Sequence, residues 1–152
     1  MTSHKFVTVA LLAAILLPRH AFGDQSAPAA QQKLTILIHV THGPEHPTRA
    51  ALAFLVARTA VDEGHQVRMF LAGDAVQLLR DSVLDSLAGI GTGKLREHYE
   101  VLAKAGVRFY LSGMSSKARG VTEVDLKGKT AEFATPSVLL RLSIESDRMF
   151  VY

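Results

Sequence analysis

The chain has 152 residues and no cysteine, and its 17 Lys and Arg against 14 Asp and Glu give a formal charge of +3. That length sets one domain as the default. The lack of cysteine excludes disulfides, a thiol nucleophile and an N-terminal lipidation site, so an apolar core must hold the fold alone.

The chain opens with Lys5, an apolar run from Phe6 to Leu17, and small residues at Ala21 and Gly23 before Asp24. This pattern reads as a secretory signal peptide over 1–23, its apolar part being too short for a spanning helix; the alternative is an uncleaved membrane anchor. The protein is therefore expected to be periplasmic or secreted, with no membrane contact once the signal is removed. Removal takes away Lys5 and Arg19 and no acid, which lowers the formal charge from +3 to +1. No basic stripe interleaved with aromatics remains, so nucleic acid is not an expected partner.

Residues 24–32 lack periodicity and read as an N-terminal tail before a domain at 33–152. Leu34 to Val40 is a near-continuous apolar run, as in a central parallel strand buried on both faces. Pro47 opens a helix whose Ala51, Leu52, Leu55 and Val56 share a face and which ends at Glu63-Gly64. Gln66 to Leu71 is the second strand. Asp74 reads as the N-cap of a short helix running to about Arg80. From Asp81 to Gly93 the pattern is ambiguous: a broken helical turn, then a flexible loop over Gly89-Ile90-Gly91-Thr92-Gly93. That loop lacks the spacing of a phosphate-binding loop and suits a lid or hinge.

Lys94 to Lys104 is helical, with Leu95, Tyr99, Leu102 and Ala103 on one side. Val107 to Leu111 is a strand that breaks into the small-residue loop Ser112-Gly113-Met114-Ser115-Ser116 and a short helix ending at Gly120. Val121 to Ala134 is a polar crossover able to hide a further strand. Thr135 and Pro136 start the last helix, with Val138, Leu139, Leu142 and Ile144 facing inward. Met149 to Tyr152 is a final short strand whose apolar character favours pairing with something. Strands alternating with helices imply a three-layer α/β sandwich: a mostly parallel sheet of about five strands with helices on both faces.

In such a sheet ligands sit beyond the carboxyl ends of strands, which singles out the loops at Ser112 and after His39. Ser112 lies outside a Gly-x-Ser-x-Gly elbow and has no base readable from spacing, so a catalytic serine is not expected. Ser112 and Ser115 read first as keeping the loop's size and hydrogen bonding; in a second reading the loop's N–H groups and the Arg119 side chain bind a small anion or thiol compound. His39, His42 and His46 lie close in sequence but match no recurrent metal-ligand spacing. They read as one buried strand histidine and two loop histidines, with a metal module as a minor alternative. His65 and His98 read as surface residues. Arg49, in the first turn of its helix, is placed to face an anion. No cofactor is expected.

The run from Val107 to Gly120, with Thr41-His42-Gly43-Pro44-Glu45 and Arg49-Ala50-Ala51-Leu52-Ala53-Phe54, resembles the DsrE/DsrF-like family. These are sulfur-relay proteins that include the TusBCD and YchN types. There a strand ends in a cysteine and an Arg-Gly pair follows seven and eight residues later; here Arg119-Gly120 stands at that offset from Ser112. Many members carry a second cysteine three residues on, where this chain has Ser115. The resemblance implies a DsrE/YchN-like fold, a homotrimer or homohexamer, and ligand contacts from Ser112, Gly113, Ser115 and Arg119, with Thr41, His42, Gly43 and Arg49 in the first loop and helix. Serine cannot carry a persulfide, a task that needs a polarizable thiolate. The expected function is therefore a non-catalytic homo-oligomer that binds a small anion, a sulfur compound or a partner protein. The alternative is an accessory subunit of a sulfur-transfer complex whose thiol comes from a cysteine-bearing paralogue.

Overall fold

The structure, a computed structural model, describes residues 32–152. The expected signal peptide and all but the last residue of the tail lie outside the described residues. Five parallel strands form the sheet: β1 (Thr35–Val40), β2 (Gln66–Leu71), β5 (Arg108–Ser112), β6 (Ala131–Ala134) and β7 (Arg148–Val151). Their order is β6-β5-β2-β1-β7. The three central strands, β5, β2 and β1, divide their side chains between two clusters. Ile36, Ile38, Val40, Met69, Leu71, Phe109 and Leu111 enter the larger one, while Leu37, Phe70 and Tyr110 enter the smaller one behind the sheet. That two-sided burial is why β1 is apolar almost throughout.

The larger cluster is closed by α1 (Pro47–Asp62), α2 (Asp81–Ser86) and α3 (Leu95–Lys104), the smaller one by α6 (Pro136–Ile144). In α1 the buried side chains are Ala50, Ala51, Ala53, Phe54, Ala57 and Ala60. Small residues let this helix lie close to the sheet, with Phe54 the one large plug, its ring 6.0 Å from that of Phe109. Helix α6 buries only Leu142 fully. Burial of a leucine contributes about 1.5–3 kcal/mol, so most of the hold on the sheet comes from the other face. Ile144, expected to face inward, is 76% exposed, as Leu140 is at 63%. Residues 140 and 144 are one helical turn apart on the side of α6 away from the sheet.

Four further local expectations change. The segment after β2 is a 3₁₀ helix (Gly73–Leu79) whose N-cap is Ala72, not Asp74, because the Asp74 carboxylate is engaged elsewhere. The Gly-rich run is a hairpin of β3 (Ala88–Gly89) and β4 (Gly93–Lys94), packed so closely on α1 that a Cβ at Gly89 would lie 2.9 Å from Thr48 Cα. His98 is buried, its Nε2 2.6 Å from the Thr92 carbonyl oxygen. His65 accepts a hydrogen bond at Nδ1 from Leu34 N–H at 3.3 Å, and its side chain is only 8% exposed. The hidden strand in the crossover is β6.

Register levels the strand ends. Val40 pairs with Leu71, and Leu71 with Leu111. The loops leaving β1, β2 and β5 therefore emerge side by side.

Candidate functional site

Two neighbouring arrangements occupy these strand ends. The first surrounds Ser112, the last residue of β5 and the N-cap of α4 (Gly113–Ala118). Gly113 is the first residue of that helix. Ser112 Oγ accepts from Ser115 N–H at 3.4 Å, and Ser115 Oγ accepts from Gly73 N–H at 3.0 Å. Both hydroxyls thus tie backbone to backbone, and among the described residues neither meets a histidine. Arg119 Nε donates to Asp74 Oδ1 at 2.6 Å, and the Arg119 guanidinium also reaches the Ser115 carbonyl at 3.4 Å. The hydrogen bond from Arg119, with its positive charge, holds the Asp74 carboxyl below its ordinary value. Gly120 follows α4 with φ +63°, the left-handed conformation of a helix-terminating glycine. The carbonyls of Arg119 and Gly120 both accept from Arg80 at 2.8 Å. Arg80 and Asp74 are members of this arrangement that the sequence did not single out; they act across about forty residues of chain, with no local pattern to mark them.

The second arrangement follows β1. Thr41 Oγ1 donates to the Tyr152 main-chain oxygen at 2.9 Å and lies 3.2 Å from His42 Nδ1; His42 Nε2 lies 3.0 Å from an Arg49 guanidinium nitrogen. Hydrogen-bond direction follows from chemistry. An arginine has no acceptor, so His42 Nε2 must accept and the proton sits on Nδ1. That proton goes to Thr41 Oγ1, whose own proton goes to Tyr152. The tautomer is assigned by this network. His46, the N-cap of α1, sets its ring 5.0 Å from that of His42, edge to face. Glu45 turns back, its carboxylate accepting from Gly43 N–H at 2.8 Å.

Beside this relay opens a cleft of about 820 Å³ lined by the loop after β1, the start of α1, Leu52, Val151 and Tyr152. It sits where the strand order reverses, between β1 and β7, the usual ligand position in open α/β sheets. Thr41, His42, His46 and Arg49 line it; Ser112, Ser115 and Arg119 do not.

His39 stands apart from the other two histidines. Its ring meets Phe70 edge to face at 5.7 Å, its Nε2 is buried with no hydrogen-bond partner among the described residues, and burial lowers its pKa from 6.5. Among the described residues no group of three or more His, Cys, Asp or Glu converges on a metal position. No helix among them is long and apolar enough to cross a membrane.

The DsrE/DsrF-like family model matches residues 34–152, and the chain belongs to that family. Among solved structures it is similar to the YchN protein of E. coli, with 14% identity and a TM-score of 0.63, over 80% of this chain and 100% of that one. A conserved protein of unknown function from Bacteroides thetaiotaomicron is similar at 12% identity and a TM-score of 0.50, over 78% of this chain and 94% of that one. At these identities the likeness concerns the fold. No curated protein matches the chain.

Proposed function

We propose that the protein is an exported, non-catalytic member of its family that binds a small anionic or sulfur-containing ligand at the strand ends and works as a homo-oligomer. The observation that carries this reading is the use of Ser112 and Ser115. Where a sulfur carrier needs an ionisable thiol, the chain has two hydroxyls that serve as acceptors for backbone N–H groups. What remains for function is recognition, by the loops that β1, β2 and β5 present together.

Self-association is supported by the apolar side chains left open on one face, Leu140 and Ile144 of α6 with Met149 of β7. Ser143 Oγ lies 3.5 Å from the Met149 sulfur, so helix and strand form one continuous surface. Exposed apolar area of this kind marks interaction sites. Export rests on the residues 1–23 pattern.

Incubation of the protein with a persulfide donor, followed by intact-mass analysis, tests the central claim. The expected spectrum shows no added sulfur. A stable sulfur adduct would overturn the non-catalytic reading. Light scattering after gel filtration should give a mass above the monomer, falling on Ile144→Glu.

A further inference from the structure

The proposed binding role leaves open which of the two arrangements takes the ligand and what the ligand is. We infer that the cleft between β7 and the start of α1 is the ligand site, and that it takes a singly charged oxyanion head carried on an apolar body, with Arg49 holding the head. This rests on the binding role proposed above and adds its location and chemistry.

Three observations lead there. Charge comes first. Arg119 already has the Asp74 carboxylate at 2.6 Å. Arg49 has only the neutral His42 Nε2 at 3.0 Å, and among the described residues no carboxylate pairs with it. Glu45, the one acid on the cleft wall, spends an oxygen on Gly43 N–H. Glu45 keeps its charge in that bond, so what sets Arg49 apart is that no carboxylate touches its guanidinium, which leaves that place to an incoming oxyanion.

Pre-organisation comes second. The Arg49–His42–Thr41–Tyr152 relay fixes one nitrogen of the guanidinium, so the remaining donors of the planar fork are offered to an incoming oxyanion at reduced entropic cost. His46 sits at the N-cap of α1 without a capping side-chain hydrogen bond, and no acid occupies the first turn of that helix. A negative group is favoured at such an end.

Third is the apolar part of the lining. Leu52 is 36% exposed although α1 otherwise packs on the core, and Val151 is 62% exposed on β7, whose four residues are all exposed. Tyr152 also lines the cleft, burial raising its phenol pKa. The Leu52 and Val151 side chains and the face of the Tyr152 ring offer no hydrogen-bonding group and suit an aryl or alkyl body. A bare inorganic anion would use the arginine and leave this lining wet.

Isothermal titration calorimetry on the full chain tests the inference with benzoate and benzenesulfonate as probes, and with sulfate and benzyl alcohol as comparisons. Saturable binding of the two amphipathic anions is expected, at least about tenfold tighter than sulfate or benzyl alcohol. Arg49→Gln should weaken it about tenfold or more, the scale of a lost charge-assisted hydrogen bond. Leu52→Glu should weaken it while leaving the melting temperature near that of the wild type, since this side chain is partly open to solvent. Arg58→Gln, a cation on the same helix that does not line the cleft, should leave affinity unchanged. Saturable binding indifferent to both Arg49→Gln and Leu52→Glu overturns the location while the binding role stands. Benzyl alcohol binding as tightly as benzoate overturns the chemistry. If none of these anions binds at all, the small-anion reading falls with it.

Discussion

A Cβ on Gly43 would overlap the main-chain carbonyl of Asp74 and lie 2.9 Å from Glu45 Oε2. The loop after β1 is therefore pressed directly against the 3₁₀ helix after β2, and backbone there cannot yield as a flexible side chain would. Gly43→Ala should destabilise the protein by about 1–3 kcal/mol, the usual range for overpacking. Gly113→Ala makes the contrast: its Cβ would lie 3.7 Å from the Ala134 carbonyl oxygen, an ordinary contact, on a helical backbone. There, alanine should gain about 0.5–1 kcal/mol by restricting the unfolded chain. Urea denaturation of both variants checks the opposite signs.

The Arg119–Asp74 pair makes a prediction about pH. The Asp74 pKa is lowered below its ordinary 3.8 by the Arg119 hydrogen bond and charge. A carboxyl with a depressed folded-state pKa contributes stability that is fully present above the unfolded value and is lost as pH falls through the folded one. The difference in melting temperature between wild type and Asp74→Asn should thus hold steady from about pH 8 to about pH 5 and shrink only below 3.8. A difference that vanishes between pH 7 and pH 5 would assign it to a histidine.

How far the chain could be read in advance follows from the range of each interaction. The strands at Leu34–Val40, Gln66–Leu71 and Val107–Leu111 were legible because both their faces are buried, so the apolar signal is dense. Helix α1 was legible from Pro47 and Gly64. The bringing together of the Ser112 and His42 loops followed from parallel topology, which puts all carboxyl ends on one edge. Strand β6 is four residues with a mixed pattern, Ala-Glu-Phe-Ala, on a sheet edge, and gave little signal. Asp74 looked like a cap because capping is local, but a guanidinium 45 positions later competes for its carboxylate. His98 looked exposed because nothing local shows a hairpin folding back onto it. The cleft joins Arg49 and Leu52 to Val151 and Tyr152, a meeting across about one hundred residues that only the β1–β7 pairing creates.

His39 is the residue whose titration should matter most above pH 4. Burial lowers its pKa from 6.5, and Nε2 has no partner among the described residues. The unfolded chain binds a proton at 6.5 and the folded chain only at lower pH, so the native state loses stability as pH falls through that window. His39→Leu removes both the titration and the unpaired nitrogen. The variant should be at least as stable as wild type at pH 8, since deleting an unsatisfied buried polar group is neutral or favourable. Its advantage should widen between pH 6.5 and about pH 5. Thermal melts in matched buffers read this; a constant advantage across the range would mean that His39 is neutralised by a partner in the folded state.

The hairpin over α1 should behave as a pinned element and not as a lid. Ile90 N–H donates to Thr48 Oγ1 at 3.0 Å, Gly89 lies against Thr48 and Ala51, and His98 holds the Thr92 carbonyl. Ile90 itself is 90% exposed, so its side chain adds no packing and its amide is held by the Thr48 hydroxyl. Thr48→Val keeps the shape and removes the acceptor. It should raise hydrogen exchange at the Ile90 amide about tenfold while changing global stability by about 0.5–1.5 kcal/mol, the net worth of one hydrogen bond. His98→Ala removes a buried ring as well as the Thr92 tie, and should speed exchange across Ile90 to Lys94 with a larger global loss of about 2–4 kcal/mol. If the Ile90 and Thr92 amides already exchange at the free-peptide rate in the wild type, the hairpin is open in solution. The first turn of α1, which presents Thr48 and Arg49 to the cleft, would then lack its cover.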